Sequence, residues 1–174
     1  MNIYFSGIGG VGIGALASIA HSAGYKVFGS DQNPSLMTEE LLKKDIEVKI
    51  GKQDGSFLKD KFINNGIDWF VYTAALPKDH PELKTAQELG IKITKRDELL
   101  NEIITSKNLK LIAVSGTHGK TTTTGMAIWV FKQLNIPISW SIGTTISFGE
   151  SGFFDPKSKY FIYEADEFDR NFLH

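Results

Sequence analysis

Short apolar runs such as Ile3-Tyr4-Phe5 and Trp69-Phe70-Val71 alternate along this chain with longer stretches that mix apolar and polar residues at helical spacing. The runs predict buried strands and the mixed stretches predict helices. Strands are expected over 2–6, 26–30, 47–50, 69–73 and 91–94. Helices are expected over 10–23, 35–44, 56–64, 81–89 and 96–105, with Thr38 a possible internal start of the second. Pro81 suits a first helical position and Gly90 a stop. After the polar break Ser106-Lys107-Asn108 come a strand over 109–115, a helix over 120–134 and strands over 138–142 and 160–165. The stretch 149–159 reads as a loop.

Strictly alternating strands and helices with short connections imply α/β architecture built on doubly wound, mostly parallel sheets. The polar break divides the chain into residues 1–107 and 108–174. The second part, with three expected strands and one long helix, has little to cover the second face of a parallel sheet, which needs cover on both. The expectation is that this chain is the front part of a longer protein.

Composition narrows the picture only in places. The 174 residues are 41% hydrophobic and 22% charged, ordinary values for a globular chain. A net charge of −1 gives no support for bulk nucleic-acid binding. There is no cysteine, which excludes disulfides and thiolate metal sites and fits a reducing compartment. The uncharged stretch 3–20 lacks a basic start and carries five glycines (Gly7, Gly9, Gly10, Gly12 and Gly14), so it reads as a turn and helix rather than a signal peptide or membrane insertion.

Two glycine clusters carry the chemistry. Gly7-Ile8-Gly9-Gly10-Val11-Gly12 is a GxGxxG between a strand and a helix, and Asp31 ends the next strand. That layout binds a diphosphate on the turn and ribose hydroxyls on the acid. The pattern leaves NAD, FAD and a nucleotide sugar open. Ligands in such sheets sit beyond the C-terminal strand ends. Thr73, Ala74 and Ala75, which follow the fourth strand, are therefore candidate contacts. Arg96, just past the fifth, reads either as a phosphate contact or as a solvated helix-start residue, while His80 reads as a surface residue.

The second cluster is Gly116-Thr117-His118-Gly119-Lys120-Thr121, after an aliphatic strand and before a helix that opens on four threonines. This is a phosphate-binding loop: backbone N–H groups cradle oxygens, Lys120 neutralises the outer phosphates and the Thr121 hydroxyl can ligate Mg²⁺. The strict pattern would put glycine where Val114 stands. Threonines are poor helix formers, which argues that function selects them. Glu164 ends a strand where an acid can help hold the metal, and Asp166, Glu167 and Asp169 follow.

These segments together resemble the Mur ligases of peptidoglycan synthesis. The resemblance is carried by the two glycine clusters, Gly29-Ser30-Asp31, the run 74–83, the run 96–100 and the acidic segment 164–169. It implies a Rossmann-like UDP-sugar domain over 1–107, followed by the incomplete first part of a P-loop ATPase domain over 108–174. It implies a cytoplasmic, ATP- and Mg²⁺-dependent amide ligase. Its UDP-sugar would contact Gly7, Gly9, Gly10, Gly12, Asp31, Thr73, Ala74, Ala75 and Arg96. ATP would be held by Gly116, Thr117, His118, Gly119, Lys120, Thr121 and Thr122, and the metal by Thr121 and Glu164. Lys120, His118 and Glu164 would act at the transferred phosphoryl group.

Within the family, His80-Pro81-Glu82-Leu83 and the closing Phe172-Leu173-His174 favour the branch that joins L-alanine to UDP-N-acetylmuramate. Phe168, where many members carry serine, leans toward the branch that reattaches recycled tripeptide. The resemblance also implies that these residues alone bind the UDP-sugar without completing the ligation. An NAD-dependent oxidoreductase would leave 116–124 unexplained, another phosphate-loop ligase would leave 7–31 unexplained, and a non-catalytic nucleotide-sugar-binding protein is the further alternative.

Overall fold

The computed structural model describes residues 1–73 and 75–165. Ala74 and the acidic and aromatic residues Asp166, Glu167, Phe168, Asp169, Phe172, Leu173 and His174 lie outside the described residues. The chain divides into two compact units, Met1–Arg96 and Asp97–His174. The division falls ahead of the polar break at 106–108, so the helix before that break counts with the second unit.

The first unit runs β1 (Asn2–Ser6), α1 (Val11–Ser22), β2 (Lys26–Asp31), α2 (Leu36–Leu42), β3 (Glu47–Ile50), α3 (Ser56–Asn65), β4 (Trp69–Tyr72), α4 (Pro81–Glu88) and β5 (Lys92–Lys95). Its sheet has the order β3-β2-β1-β4-β5, and every pairing is parallel. The order reverses between β1 and β4, so the crevice for a ligand opens above the C-terminal ends of those strands.

Side-chain alternation sorts the core. Tyr4, Phe28 and Phe70 point to one face and pack with Leu58 of α3 and Leu83 and Ala86 of α4. The Tyr4 and Phe70 rings stack at 5.8 Å. The alternate residues Ile3, Phe5, Val27 and Val71 are buried too, so both faces are covered. Helices α1 and α2 pack on each other and cover this second face. That explains why α1 carries no charge: from Ile13 to Ala20 all its residues are buried. Helix α2 starts at the N-cap Ser35 rather than at Thr38. The Ser35 hydroxyl accepts from Thr38 N–H, and the Thr38 hydroxyl accepts from Ser35 N–H. Thr38 is thus the third residue of a reciprocal cap.

The second unit contains α5, which begins at the junction (Arg96–Ser106), then β6 (Lys110–Val114), α6 (Lys120–Gln133), β7 (Ser139–Ser141), β8 (Gly152–Phe153) and β9 (Tyr160–Glu164). The sheet order is β6-β9-β7-β8. The β6–β9 and β7–β9 pairs are parallel, and the β7–β8 pair is antiparallel. Strand β8 corrects the expectation of an unbroken loop over 149–159. It is two residues long, below what sequence periodicity registers, and is fixed by Phe153 stacking on Trp140 at 4.5 Å. Ile128 of α6 packs with Ile138, Trp140, Ile142 and Ile162 on one face of this sheet. Leu111, Met126 and Trp129 are half exposed or more. Among the described residues no helix is long and apolar enough to cross a membrane.

Candidate functional site

In the first unit a cavity of 530 Å³ lies over the strand ends, lined by Gly7, Asp31, Gln32, Asn33, Lys52, Gln53, Asp54, Thr73, Ala75, Leu76, Pro77, His80 and Pro81. The turn beneath it is built from backbone. Gly7 has φ +79°, a conformation side chains disfavour. Gly7 and Ile8 N–H both donate to Ser30 O, at 2.9 and 3.0 Å. Gly10 N–H donates to Gly7 O at 3.2 Å. Gly9 N–H donates to Asp31 Oδ2 at 2.8 Å, and the Ser35 hydroxyl donates to Gly9 O at 3.1 Å. The N–H groups of Gly7 to Gly10 are therefore occupied. A diphosphate would meet those of Val11, Gly12 and Ile13 in the first turn of α1, where the helix dipole favours negative charge.

Several expected residues converge there. A side chain at Gly12 would overlap the Arg96 guanidinium, so Arg96 lies against the first turn of α1. Thr73 is packed against Gly7, where an added Cβ would meet its Cγ2 at 2.8 Å. Asp31 holds Gly9 N–H and, through Oδ1, Asn33 N–H at 3.2 Å. It thus shapes the turn as well as facing the cavity. His80 is half-buried and lines the cavity, contrary to its reading as a surface residue. Its Nδ1 caps α4 by accepting Glu82 N–H at 3.3 Å, which leaves the proton on Nε2.

Sequence reasoning missed Glu82 and Gln53. Glu82 is 1% exposed. Its Oε1 accepts from the Tyr4 hydroxyl at 2.7 Å, and its Oε2 from Ser6 at 2.6 Å and Ser30 at 2.7 Å. Gln53 Nε2 donates to Ser30 Oγ at 2.9 Å and to Glu82 Oε2 at 3.3 Å. Burial first, and then the Glu82 charge, push the Tyr4 phenol well above its ordinary value. In sequence Glu82 belongs to the run 80–83 that carries part of the resemblance, but locally it reads as an ordinary first-turn acid. The only signal was the hydroxyl residues alternating through the apolar strands β1 and β2. On the rim, Asp54 accepts from the Ser56 hydroxyl at 2.6 Å and from Ser56 N–H at 3.0 Å. These bonds lower its pKa to about 2.

The second unit places its glycine loop between β6 and α6. Gly119 caps α6 at φ +79°, the left-handed region that favours glycine. Among the described residues the N–H groups of Thr117, His118 and Gly119 donate to no protein acceptor, and successive backbone donors in a loop are of the kind that binds anions. His118 is exposed in this loop. Lys120 Nζ donates to Gly116 O at 2.6 Å, folded back over the loop. Strand pairing sets Val114 of β6 opposite Glu164 of β9. Glu164 therefore ends beside the loop, where Oε1 accepts from the Thr121 hydroxyl at 2.6 Å and Oε2 from Gly143 N–H at 2.7 Å. Thr121 and Thr122 also line an apolar cavity of 500 Å³ with Gly125, Met126 and Trp129.

A hydroxyl and a carboxylate in contact beside a phosphate loop suit a hard cation that keeps water and phosphate as its other ligands. Among the described residues no group of three or more His, Asp or Glu side chains could hold a metal alone. The donor set fits Mg²⁺ bound together with a triphosphate.

The family model described as "Mur ligase family, catalytic domain" matches residues 2–108. The chain belongs to the Mur ligase family. It is 37% identical over 173 residues to the UDP-N-acetylmuramate–L-alanine ligase of Porphyromonas gingivalis, covering 99% of this chain and 37% of that protein. It is 39% identical over 171 residues to the ligase of the same name from Clostridium acetobutylicum, covering 98% of this chain and 36% of that protein. Among solved structures, UDP-N-acetylmuramate–alanine ligase MurC of Thermotoga maritima superposes with a TM-score of 0.81 at 29% identity, covering 94% of this chain and 36% of that one. The UDP-N-acetylmuramate:L-alanyl-γ-D-glutamyl-meso-diaminopimelate ligase (Mpl) of Neisseria meningitides gives 0.83 at 31%, covering 97% of this chain and 53% of that one. This Mur ligase chain thus spans little more than a third of the length of the curated relatives it matches. The family match ends beside the polar break at 106–108 and takes in the whole first unit.

Proposed function

We propose that this Mur ligase chain is the UDP-sugar-binding and phosphate-loop part of an ATP-dependent ligase that joins L-alanine to the lactyl carboxylate of UDP-N-acetylmuramate. The observation that carries the ligase reading is the Thr121–Glu164 contact of 2.6 Å directly beyond Lys120. The alanine ligases aligned along nearly the whole chain support the substrate. The first unit's cavity takes the UDP-sugar, with its diphosphate on the first turn of α1 beside Arg96, its ribose at Asp31 and its sugar toward Thr73 and Ala75. In the same reading the UDP-sugar contacts include Gly7, Gly9, Gly10 and Gly12.

In the reaction the lactyl carboxylate oxygen attacks the γ-phosphorus of ATP, the bond to the bridging oxygen breaks, and ADP leaves. The resulting acyl phosphate is attacked by the alanine amine. Phosphate then departs from the tetrahedral carbon and the amine gives up a proton. Phosphoryl transfer depends on positioning and charge neutralisation more than on covalent help. Here Lys120 swings from Gly116 O onto the transferred phosphoryl oxygens. The N–H groups of Thr117 to Gly119 cradle the neighbouring phosphates, with Thr122 following in the helix, and His118 reaches the transferred group. Thr121 and Glu164 would hold Mg²⁺, which would supply charge neutralisation for the phosphoryl transfer.

The test is calorimetric titration of the chain with UDP-N-acetylmuramate. A side chain at Gly9 would meet Asp31 Oδ2 at 2.8 Å and Ser35 Oγ at 3.0 Å, so Gly9→Val is expected to abolish binding and Lys120→Ala to leave it unchanged. Binding retained in Gly9→Val defeats the assignment. Similarity to Mpl structures favours a second reading, a tripeptide-adding ligase. It is decided by which amino component supports ADP release in the ligase that contains this chain.

A further inference from the structure

Glu82 is a carboxylate buried with no cation beside it among the described residues, and the reaction above gives it no role. Its charge is held by donors alone: the hydroxyls of Tyr4, Ser6 and Ser30 and the Gln53 amide. It is the second residue of α4, so it also sits where a helix favours an anion. Of these partners only Gln53 lines the cavity.

The polarity of that contact settles which way the Gln53 amide faces. Its nitrogen donates to Ser30 Oγ and Glu82 Oε2. Turning the amide over would set its carbonyl oxygen against a carboxylate, acceptor against acceptor. The carbonyl oxygen is therefore held away from Glu82, and among the described residues it accepts no hydrogen bond. Gln53 stands in the connection after β3. Gln53 lines the same cavity as Gly7 and Asp31, and Asp31 pairs with Ile50 of β3, so a base carried beyond a ribose at Asp31 would share its crevice with Gln53.

Resting on the nucleotide reading of this cavity, we propose that Glu82 is a positioning residue that locks Gln53 with its carbonyl oxygen toward the base, where it selects a ring N–H donor. Uracil presents such a donor at N3. Cytosine presents a lone pair at the same position and would face the Gln53 oxygen acceptor to acceptor. A site built to hydrogen-bond one group rejects an analogue that cannot pair with it.

The experiment titrates the 174-residue chain with UDP and CDP and reads the ratio of the two affinities. The wild type is expected to prefer UDP by about ten-fold or more, the equivalent of one lost hydrogen bond. Gln53→Ala is expected to bring the ratio close to one. Glu82→Met removes the acceptor that orients Gln53 and is expected to collapse the ratio as well, with no further change when added to Gln53→Ala. Glu82→Gln can keep a carbonyl oxygen toward Gln53 and is expected to restore most of the preference, which a merely structural role would not predict. If Glu82→Met does not fold, Ser30→Ala, which removes the nearer acceptor of the Gln53 amide, takes its place with the same expected loss. UDP binding without preference, or a preference surviving in Gln53→Ala, overturns the selection. A preference surviving in folded Glu82→Met overturns the positioning role. Binding of neither nucleotide by the wild type overturns the nucleotide reading itself, and this proposal with it.

Discussion

Two glycines inside helices are expected to respond to the same substitution with opposite signs. Gly14 lies in α1 and Gly125 in α6. In either helix alanine gains about 1 kcal/mol of intrinsic propensity over glycine. Space decides the net result. At Gly14 the new methyl would overlap Met37 Cγ and lie 2.6 Å from Ile8 O and 2.7 Å from Met37 Sδ. Met37 can turn aside, but the Ile8 carbonyl belongs to the turn that follows β1. An ordinary carbon–oxygen contact is about 3.3 Å or more, so the backbone must shift by several tenths of an ångström. Overpacking of this kind costs about 1–3 kcal/mol, and the rigid carbonyl puts Gly14→Ala in the upper part of that range. The net expectation is a loss of about 1–2 kcal/mol. At Gly125 the nearest atom is Ile142 Cδ1 at 3.8 Å, ordinary contact, so only the gain of up to about 1 kcal/mol remains. Native-state amide exchange reads both units in one sample, through protection of β1 in the first and β9 in the second. Gly14→Ala should lower protection in β1 and Gly125→Ala raise it in β9. A Gly14→Ala chain as stable as wild type would refute the claim that close approach of α1, rather than helix propensity, selects this glycine.

Other expectations follow from the buried carboxylate, the rim and the phosphate loop. Tyr4→Phe keeps the ring stack on Phe70 but strips one donor from Glu82, and is expected to cost about 1–3 kcal/mol in urea unfolding; an unchanged midpoint would show that the bond contributes nothing. Because the folded-state pKa of Tyr4 is raised, its contribution is complete below the unfolded value of about 10 and declines as pH rises above it. The alkaline fall in stability should therefore be shallower in Tyr4→Phe. Asp54 has the opposite sign: its pKa is lowered to about 2, so what it contributes is present above the ordinary carboxylate range and is lost as pH falls through about 2. Carboxyl NMR should place its midpoint there and show Ser56→Ala moving it upward. Thr121→Val removes the hydroxyl that meets Glu164 and is expected to weaken Mg²⁺–ATP binding by about ten-fold or more, while leaving metal-free ATP binding less affected. Equal losses with and without Mg²⁺ would count against a metal role for Thr121.

Most of the fold was legible because its signals are local. Apolar strands, a glycine turn and a mixed helix recur in order, and Pro81 and Gly90 mark the limits of α4. What escaped depended on distant partners. Strand β8 exists because Phe153 finds Trp140 thirteen residues earlier, and two residues have no period to read. Glu82 is the sharper case. An acid in a first helical turn is expected on local grounds, facing water and favoured by the dipole. Its burial follows from Tyr4, Ser6 and Ser30, about fifty to eighty residues earlier, whose hydroxyls converge only when β1 and β2 pair. The contact of Thr121 with Glu164 was approachable from sequence, because a phosphate loop fixes one end of the pair and a strand-terminal acid supplies the other.

The two glycine clusters look alike in sequence but are different devices. In the first, the N–H groups of Gly7, Ile8, Gly9 and Gly10 are consumed by Ser30 O, Asp31 Oδ2 and Gly7 O. That turn is rigid before any ligand arrives. Its glycines serve the turn's own shape, and in the proposed function ligand charge falls to the start of α1 and to Arg96. In the second, the N–H groups of Thr117, His118 and Gly119 meet no acceptor among the described residues, and Lys120 rests on the loop's own Gly116 carbonyl. That loop must exchange water and an internal bond for phosphate, so its binding should depend more on ionic strength and on the metal. In the proposed reaction a UDP-sugar held on such a turn would need little reorganisation, whereas a triphosphate would have to recruit Lys120. This asymmetry suits a reaction in which one substrate is held still while the other's terminal phosphate is moved. It also explains why a glycine substitution should act on the first cluster through shape, while a charge or hydroxyl substitution should act on the second through electrostatics.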